Sequence, residues 1–171
     1  MGHQDHKHHA VRQVACMVIT ISDTRTEETD TSGQFIVELL QNTGHTVERK
    51  TIVKDDPAAI HQLLREGIAA QEVQAIICNG GTGISTRDRS YEAVEQLLDK
   101  RLEGFGELFR FLSYQEIGSA AMMSRAVAGI AQGTVIFSMP GSKHAVRLAM
   151  EQLILPEIGH IIWELTKHLD E

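Results

Sequence analysis

The amino-acid sequence predicts an α/β protein, a three-layer sandwich in which a mostly parallel sheet lies between two layers of helices. Short apolar segments rich in β-branched residues alternate with segments whose apolar residues have helical spacing. A polar or glycine-rich turn follows each predicted strand. The 171 residues suit one domain and contain no repeat or linker, so we predict a single domain over 13–171, preceded by a disordered His-rich arm over 1–12.

The charge and hydropathy of the chain argue against several classes of partner. Lys plus Arg total 16 against 23 Asp plus Glu, a net charge of -7, whereas nonspecific binding to nucleic acid or anionic membrane needs clustered positive charge. No apolar run approaches the roughly 18 residues of a membrane span. Cys16 and Cys78 lie within apolar segments and are predicted to be buried thiols. With no signal peptide at its start, the chain is predicted to be cytoplasmic, without nucleic-acid or membrane partners.

The first half of the chain contains two predicted strands and two predicted helices. Val14–Ile21 is apolar and β-branched, as expected for a strand buried on both faces. Residues 31–41 carry apolar side chains at helical spacing and are followed by Gly44, a predicted helix C-cap. A second strand is predicted over 45–53. Asp56, with a proline directly after it, then begins a helix as its N-cap.

The second half continues this alternation. Its predicted elements are, in order, a strand over 73–78, helices around 91–98 and over 105–117, a strand over 134–139 and a last helix over 146–165. Pro156 is predicted to break or kink the last helix, because proline lacks the backbone N–H that a helix interior needs.

The chemistry is expected at the carboxyl ends of the strands, because open parallel sheets bind their ligands there. Every predicted strand ends in small, polar or acidic residues. These are Ser22, Asp23 and Thr24 after the first strand, Asp55 and Asp56 after the second, Asn79–Gly83 after the third, and Pro140, Gly141 and Ser142 after the last. The sequence therefore predicts the candidate site at this edge of the sheet.

The glycine-rich loop after the third strand is suited to binding an anion. Gly80, Gly81 and Gly83 are able to adopt positive φ, so that backbone N–H groups approach a ligand oxyanion with no Cβ in the way. Thr82 and Ser85 add hydroxyl donors. The spacing matches neither the P-loop nor the dinucleotide-binding fingerprint. From the loop alone, phosphate binding and a plain tight turn are equally compatible with the sequence.

Three aspartates and a serine are further candidates, each with a structural alternative. Mg²⁺ takes one or two carboxylates and completes its shell with water and phosphate oxygens, so Asp55 and Asp88 are candidate ligands. Asp56 is assigned to capping a helix, and Asp55 has no such assignment. Asp88 lies between two arginines, where a surface ion pair is slightly favoured over a metal or substrate role. Ser142 begins a helix, where a simple cap is commoner than an anion site.

The residues alone thus support an α/β domain that binds a phosphorylated small molecule, with Mg²⁺ as a candidate cofactor. Beyond this, an ordered set of segments resembles the molybdopterin-binding family of molybdenum cofactor biosynthesis, and its B-type members in particular. The similarity extends from residue 14 to about 155. The segments that carry it are Ser22–Arg25, Asp30–Gly33, Asn79–Ser85 with Arg87 and Asp88, Glu103–Gly118, Ser124–Gly129 and Ser138–Ser142.

The resemblance implies a molybdopterin-binding-domain fold and an activity. Active members of the family adenylylate the phosphate of molybdopterin with Mg²⁺ and ATP. On the matching positions, the resemblance implies a phosphate cradle at residues 80–85, catalytic and Mg²⁺-binding roles for Asp55 and Asp88, and further walls from Ser22, Asp23 and Pro140–Ser142. It also implies a homotrimer or homohexamer, and transfer of the product to a molybdenum-insertion partner.

Two alternatives to the transferase stay open. The first is a protein that binds or carries molybdopterin or a cofactor intermediate without catalytic turnover. The second is an oligomeric scaffold that assembles through the apolar stripe Phe105–Leu112, although such a stripe is more often core or subunit contact.

Overall fold

The computed structural model describes residues 10–168. Its strands are β1 (Ala15–Ile21), β2 (Thr46–Val53), β3 (Ala75–Asn79), β4 (Lys100–Arg101), β5 (Val127–Ala131) and β6 (Thr134–Met139). Its helices are α1 (Thr31–Asn42), α2 (Pro57–Ala69), α3 (Ser90–Glu95), α4 (Glu103–Ile117), α5 (Lys143–Ala149) and α6 (Leu155–Thr166), with a 3₁₀ segment at Gly118–Met123 and a π-helical segment at Met150–Ile154. Helices cover both faces of one sheet, which confirms the predicted three-layer α/β fold.

The sheet is mostly parallel, as predicted. Its strand order is β2-β1-β3-β6-β5-β4, with β2, β1, β3 and β6 parallel and with β5 and β4 antiparallel to their neighbours. Thr20 pairs with Asn79, and Asn79 pairs with Met139. The carboxyl ends of β1, β3 and β6 therefore lie side by side, and the loops that follow them meet at one edge.

The alternation of side chains along β1 explains the two helical layers. Cys16 and Val18 face the layer that contains α1, α4, α5 and α6, whereas Met17 and Ile19 face the layer that contains α2 and α3. A strand covered on both faces has no polar side, which is why its sequence is a continuous apolar run. Burial raises the pKa of Cys16 and of Cys78 to about 12, so both thiols are neutral core groups, as predicted.

The antiparallel strands β4 and β5 were not among the predicted elements. β5 consists largely of alanine and glycine, whose strand propensity is weak. It forms a hairpin with β6 through Gln132 and Gly133, which have φ of 48° and 87°. Two consecutive residues with positive φ give a turn whose twist matches that of paired strands. The pairing with β6, rather than local propensity, makes this segment a strand.

The helix predicted around 91–98 is shorter than expected, since α3 ends at Glu95. Leu97 and Leu98 lie in the turn that follows. The N–H of Asp99 donates to the carbonyl of Ile130 at 2.8 Å, and its carboxylate accepts from the N–H of Gln132 at 2.6 Å. These contacts direct the chain to the sheet edge, where β4 begins.

Pro156 changes the last helix without ending it. The helical segments α5, π and α6 follow each other without a break from Lys143 to Thr166, and Pro156 lies in the first turn of α6. The wider π turn at residues 150–154 immediately precedes α6. A widened turn accommodates a residue that cannot donate a helical hydrogen bond, so the helix continues through Pro156 and is not broken there.

The start of the described chain is packed on α6. The N–H of Val11 donates to the carbonyl of Gly159 at 3.0 Å, and a Cβ at Gly159 would lie 2.3 Å from the carbonyl oxygen of Val11. Val11, which lies within the predicted arm, thus contacts α6 through its backbone. Residues 1–9 of the predicted arm lie outside the described residues. Among residues 10–168, no helix has both the length and the apolar character to cross a bilayer.

A buried carboxylate fixes the start of α1. Asp30 is 1% exposed; it accepts hydrogen bonds from Gly33 N–H at 2.9 Å and Thr20 Oγ1 at 2.8 Å, and pairs with Lys50 Nζ at 3.0 Å. Burial raises the pKa of Asp30, but these hydrogen bonds and the ammonium outweigh it, so the net pKa is lowered. We expect Asp30→Ala to lower the free energy of unfolding by about 3 kcal/mol, because it leaves partly buried donors unpaired.

The matched control is Asp56→Ala, which removes an exposed N-cap bonded to Ala59 N–H at 2.9 Å and is expected to cost about 1 kcal/mol. The folded-state pKa of Asp30 is lowered, so ionised Asp30 adds to the free energy of unfolding at pH values above the ordinary carboxyl pKa. This stabilisation is lost as the pH falls through the folded-state pKa. Urea unfolding at neutral and acidic pH measures both variants. Equal losses at neutral pH would contradict the role of the buried network.

Candidate functional site

The loop after β3 has the backbone that its glycines predict, with one exception. Gly80 and Gly81 have φ of 101° and 65°. A Cβ at Gly80 would lie 2.1 Å from the carbonyl oxygen of Ile21, so only glycine fits there. Gly83 is not among the positive-φ glycines, and the expectation is wrong for it. A Cβ at that position would lie 2.7 Å from Oδ2 of Asp88, so a larger residue would displace that side chain.

Four successive backbone N–H groups of this loop, those of residues 81–84, find no acceptor within residues 10–168. The N–H of Gly80 donates to the carbonyl of Met139 at 3.0 Å, but those of the next four residues donate to no atom in that part of the chain. The loop is not simply solvated, since Thr82 is 3% exposed. Successive unbonded N–H groups in a glycine loop form a concave donor set that suits an anion.

The turn after β6 packs directly against the glycine loop. A Cβ at Gly141 would lie 3.1 Å from Cα of Gly80, so the two backbones touch. Ser32 Oγ, in the first turn of α1, donates to the carbonyl of Gly141 at 2.8 Å. Ser142 accepts from Ala145 N–H at 3.1 Å, which confirms its assignment as the N-cap of α5. These contacts hold the ends of β3 and β6 in one arrangement.

A cavity of about 460 Å³ opens between these two loops, α4 and the 3₁₀ segment. This volume is within the range of small-molecule sites. Its apolar walls include Phe109, Ile117 and Met123, and Ser113 and Ser124 are among its polar groups. An apolar body with a few polar groups at one end is suited to a ligand that has a ring system and an anionic group.

The structure brings most, but not all, of the predicted site residues to this cavity. Those that line it are Gly81, Thr82, Gly83, Asp88, Pro140, Gly141 and Ser142. Those outside its lining are Ser22, Asp23, Asp55, Gly80 and Ser85. The two serines of the second group stabilise turns: Ser22 Oγ accepts from the N–H of Arg25 at 3.2 Å, and Ser85 Oγ accepts from the N–H of Arg87 at 3.3 Å.

Asp55 lies on the other side of the glycine loop and, against expectation, has a structural task. Its Oδ1 accepts from the N–H of Arg89 at 3.1 Å, which fixes the start of α3. Its Oδ2 lies 2.7 Å from where a Cβ of Gly81 would be. Burial, followed by repulsion from Asp88 and Asp23, raises the pKa of Asp55 and outweighs the hydrogen bond from Arg89. Asp55 thus lies close to two other carboxylates beside the loop.

Asp88 makes neither of the ion pairs that its two arginine neighbours suggest. Its Oδ2 accepts from the N–H of Ser85 at 2.8 Å. Within the described chain, Arg87 pairs instead with Asp23, at 2.6 Å between Nη2 and Oδ2. The favoured alternative of a surface ion pair for Asp88 is therefore wrong, and Asp88 is among the residues that line the cavity.

Asp55 and Asp88, on either side of the glycine loop, are the residues that would hold a magnesium ion. Oδ2 of Asp55 and Oδ1 of Asp88 have no hydrogen-bond partner among residues 10–168. No group of three or more metal-binding side chains occurs in the same residues. Mg²⁺ does not require one, because one or two carboxylates suffice when phosphate and water complete the octahedron.

Arg125 is a site residue that sequence reasoning missed. Its Nε donates to the carbonyls of Gly83 at 2.9 Å and Thr82 at 3.3 Å, and its Nη2 donates to that of Asp88 at 2.9 Å. Its Nη1 pairs with Glu92. Burial raises the pKa of Glu92, but the hydrogen bond and the charge of Arg125 outweigh it, so the net pKa is lowered.

The apolar walls of the cavity were missed for a different reason. Phe109 belongs to the stripe that was predicted as core, and it serves as core and as cavity wall together. Helical spacing identifies a buried face but cannot tell which part of that face borders a void. Arg125 was included only in a segment of the family resemblance, and no local spacing signals its contact with a loop 42 residues away.

A ligand-sized cavity at the carboxyl ends of parallel strands, bordered by a glycine loop with free N–H groups, is typical of α/β proteins that bind phosphorylated small molecules. Comparison with known proteins identifies the family. The family described as "Probable molybdopterin binding domain" matches residues 17–160. The chain belongs to this family.

Similar proteins agree with this assignment. The chain is 55% identical over 166 residues to "Molybdenum cofactor biosynthesis protein B" of Bacillus cereus, which covers 96% of this chain and 98% of that protein. A crystal structure of a molybdenum cofactor biosynthesis protein B superposes with a TM-score of 0.90 at 56% identity, over 92% of this chain and 99% of that one. The "tungsten cofactor synthesizing protein MoaB" of Pyrococcus furiosus superposes with a TM-score of 0.81 at 38% identity, over 95% and 100%.

Proposed function

We propose that this protein acts in molybdenum cofactor biosynthesis, where it binds molybdopterin and adenylylates its phosphate with Mg²⁺ and ATP. The observation that carries the proposal is the row of unbonded N–H groups at Gly81, Thr82 and Gly83, placed at the rim of an apolar cavity. Molybdopterin has the matching chemistry, since it combines a ring system with a terminal phosphate. The names of the similar proteins support the same pathway.

The proposed reaction requires positioning and charge neutralisation more than covalent help from the protein. A phosphate oxygen of molybdopterin attacks the α-phosphorus of ATP, the bond to the β-phosphate breaks, and pyrophosphate leaves. The loop N–H groups hold phosphate oxygens, and the apolar wall at Phe109 excludes water. Asp55 and Asp88 hold Mg²⁺, which, when bound, offsets the negative charge of the phosphates.

The test is direct. The purified protein is incubated with molybdopterin, Mg²⁺ and α-labelled ATP, and the products are separated. We expect adenylylated pterin and pyrophosphate in equal amounts, only when Mg²⁺ is present. Omission of molybdopterin is the control, because label release without it would indicate ATP hydrolysis and contradict the transferase.

A carrier without turnover is the second candidate, and one observation favours it. Asp55 and Asp88 each already accept a hydrogen bond from a backbone N–H of the loop region, so their geometry is explained without a metal. Tight molybdopterin binding without Mg²⁺-dependent product would establish this alternative. The cytoplasmic location and the transfer of product to a molybdenum-insertion partner remain predictions.

A homotrimer or homohexamer is also proposed, supported by an exposed apolar surface on α4 and the segment after it. Its residues and their exposed fractions are Leu108 52%, Phe111 59%, Tyr114 62%, Ile117 53%, Met122 80% and Met123 49%. The scaffold alternative would use the stripe Phe105–Leu112. Only part of that stripe is exposed, because Phe105 and Phe109 are buried. Several large exposed apolar side chains on one helix and the segment after it are typical of a subunit contact.

We expect Phe111→Ser to dissociate the oligomer, because it removes a large apolar side chain from the centre of that surface. Sedimentation of the variant over a range of concentrations measures the effect. Glu107→Ser, also exposed on α4, is the matched control and should leave the mass unchanged. A monomeric wild-type protein would contradict the proposed assembly.

A further inference from the structure

We infer that Arg125 is the positioning residue of the glycine loop: its guanidinium binds the carbonyl side of the loop and thereby turns the N–H side toward the ligand phosphate. The identity of that ligand rests on the proposed function. The role of Arg125 in setting the backbone of the loop does not, and it is tested separately below.

The first step of the argument is the convergence of loop carbonyls on one side chain. Arg125 donates to the carbonyl oxygens of Thr82, Gly83 and Asp88, at 3.3, 2.9 and 2.9 Å. These residues lie on both limbs of the loop, before and after its tip. A single cation therefore joins the two limbs of the loop.

The second step follows from the geometry of the peptide bond. In a trans peptide the C=O of one residue and the N–H of the next point in opposite directions. The carbonyl of Asp88 points to Arg125, and the next N–H, that of Arg89, reaches Asp55 on the opposite side at 3.1 Å. The carbonyl of Asp88 and the N–H of Arg89 thus point to opposite sides of the loop.

The same rule applied to the other two carbonyls accounts for two of the unbonded N–H groups of the loop. The N–H groups that follow Thr82 and Gly83 belong to Gly83 and Ile84, and both must point away from Arg125. Within residues 10–168 neither has an acceptor. Because Arg125 binds the preceding carbonyls, these N–H groups point away from its guanidinium and are available to an anion.

The third step is the way in which Arg125 is itself held. Its Nη1 pairs with Glu92, and its guanidinium carbon lies 5.3 Å from the centre of the Tyr91 ring. Both residues belong to α3, which begins directly after the loop. A planar guanidinium with five donors in fixed directions satisfies this set of partners, whereas the ammonium of lysine has neither the shape nor the reach.

The experiment compares Arg125→Ala, Arg125→Lys and Arg110→Ala in the adenylyl-transfer assay, with and without millimolar guanidinium chloride. We expect Arg125→Ala to lower the transfer rate about 100-fold, because the loop donors are misplaced, and Arg125→Lys not to restore it. Guanidinium, but not the same concentration of sodium chloride, should restore part of the rate. Arg110→Ala also removes an arginine bonded to a carbonyl, that of Ala126, and should stay near the wild-type rate.

Amide hydrogen exchange gives a second readout that needs no substrate. We expect Arg125→Ala and Arg125→Lys to accelerate exchange in peptides covering 80–89, with unchanged exchange in β1 and α2, which also shows that the variants are folded. Unchanged exchange in that loop, or a transfer rate within threefold of wild type, would overturn the role of Arg125. If exchange is altered in the variants but the wild-type protein has no transfer activity, only the proposed transferase is contradicted. The role of Arg125 in the loop then stands.

Discussion

A Gly81→Val variant will fold but will not bind molybdopterin. Gly81 has φ of 65°, a conformation that β-branched residues do not tolerate, and a Cβ there would lie 2.7 Å from Asp55 Oδ2 and 2.8 Å from Ser90 Oγ. The loop must rearrange, and its row of N–H donors is then lost. We expect affinity for molybdopterin to fall at least about 100-fold, since several charge-assisted hydrogen bonds are lost together. Titration calorimetry measures the affinity, and circular dichroism checks the fold.

The matched control for this variant is Gly44→Val. Gly44 has φ of 88°, but a Cβ there meets no atom within 4 Å, and the residue lies at the end of α1 away from the cavity. The control imposes the same backbone strain without the contacts of the loop, so it should lower stability and leave affinity unchanged. Retained affinity in folded Gly81→Val would remove the glycine loop from the site.

The second large effect is expected from Asp55→Asn and Asp88→Asn. Each amide keeps an oxygen that accepts the backbone N–H now bonded to the carboxylate, so the loop should retain its shape. The negative charge that holds Mg²⁺ is lost. We expect the rate of adenylyl transfer to fall about 100-fold or more, with affinity for molybdopterin within about threefold of wild type.

Asp99→Asn is the matched control for both substitutions, because Asp99 also accepts a backbone N–H, that of Gln132, but at the far side of the sheet. It should not change the transfer rate. Loss of molybdopterin affinity in step with loss of transfer would show that the aspartates only shape the loop. Wild-type rates in both variants would contradict their catalytic roles.

The pKa of Asp55 adds a stability prediction of definite sign. A carboxyl group whose folded-state pKa is raised contributes stability that is present below its ordinary pKa and lost as the pH rises through the folded-state value. At neutral pH the charged Asp55 is therefore unfavourable, and Asp55→Asn should be as stable as wild type or more stable. At about pH 3, where carboxyl groups are mostly protonated, the advantage should disappear. Urea unfolding at both pH values measures the difference.

The parallel core was predictable because its signals are local. Strands buried on both faces, such as β1, are continuous apolar runs, and the caps Asp56 and Ser142 are encoded by residues three positions apart from the N–H groups that they bind. β5 was not predictable in the same way. Its small residues become a strand only through pairing with β6, and the end of α3 at Glu95 depends on contacts with that hairpin.

The residues of the candidate site also differ in whether a local sequence signal identifies them. The glycine loop and Asp88 belong to one short segment, so composition and spacing were enough to identify them. The cavity wall and Arg125 come from segments that reach the loop only in the folded chain, across separations such as 42 residues between Arg125 and Gly83. The side of the loop on which Asp55 lies, away from the cavity, is likewise a result of packing that no sequence distance encodes.

The outer strands of the sheet affect the tendency of the protein to aggregate at high concentration. One outer strand, β4, has only two residues, Lys100 and Arg101, both exposed. The other, β2, carries Glu48 and Arg49 at its exposed positions. The shortness of β4 and the charged side chains on both strands oppose pairing with an incoming β-strand. Concentrated solutions should accordingly resist amyloid-like growth.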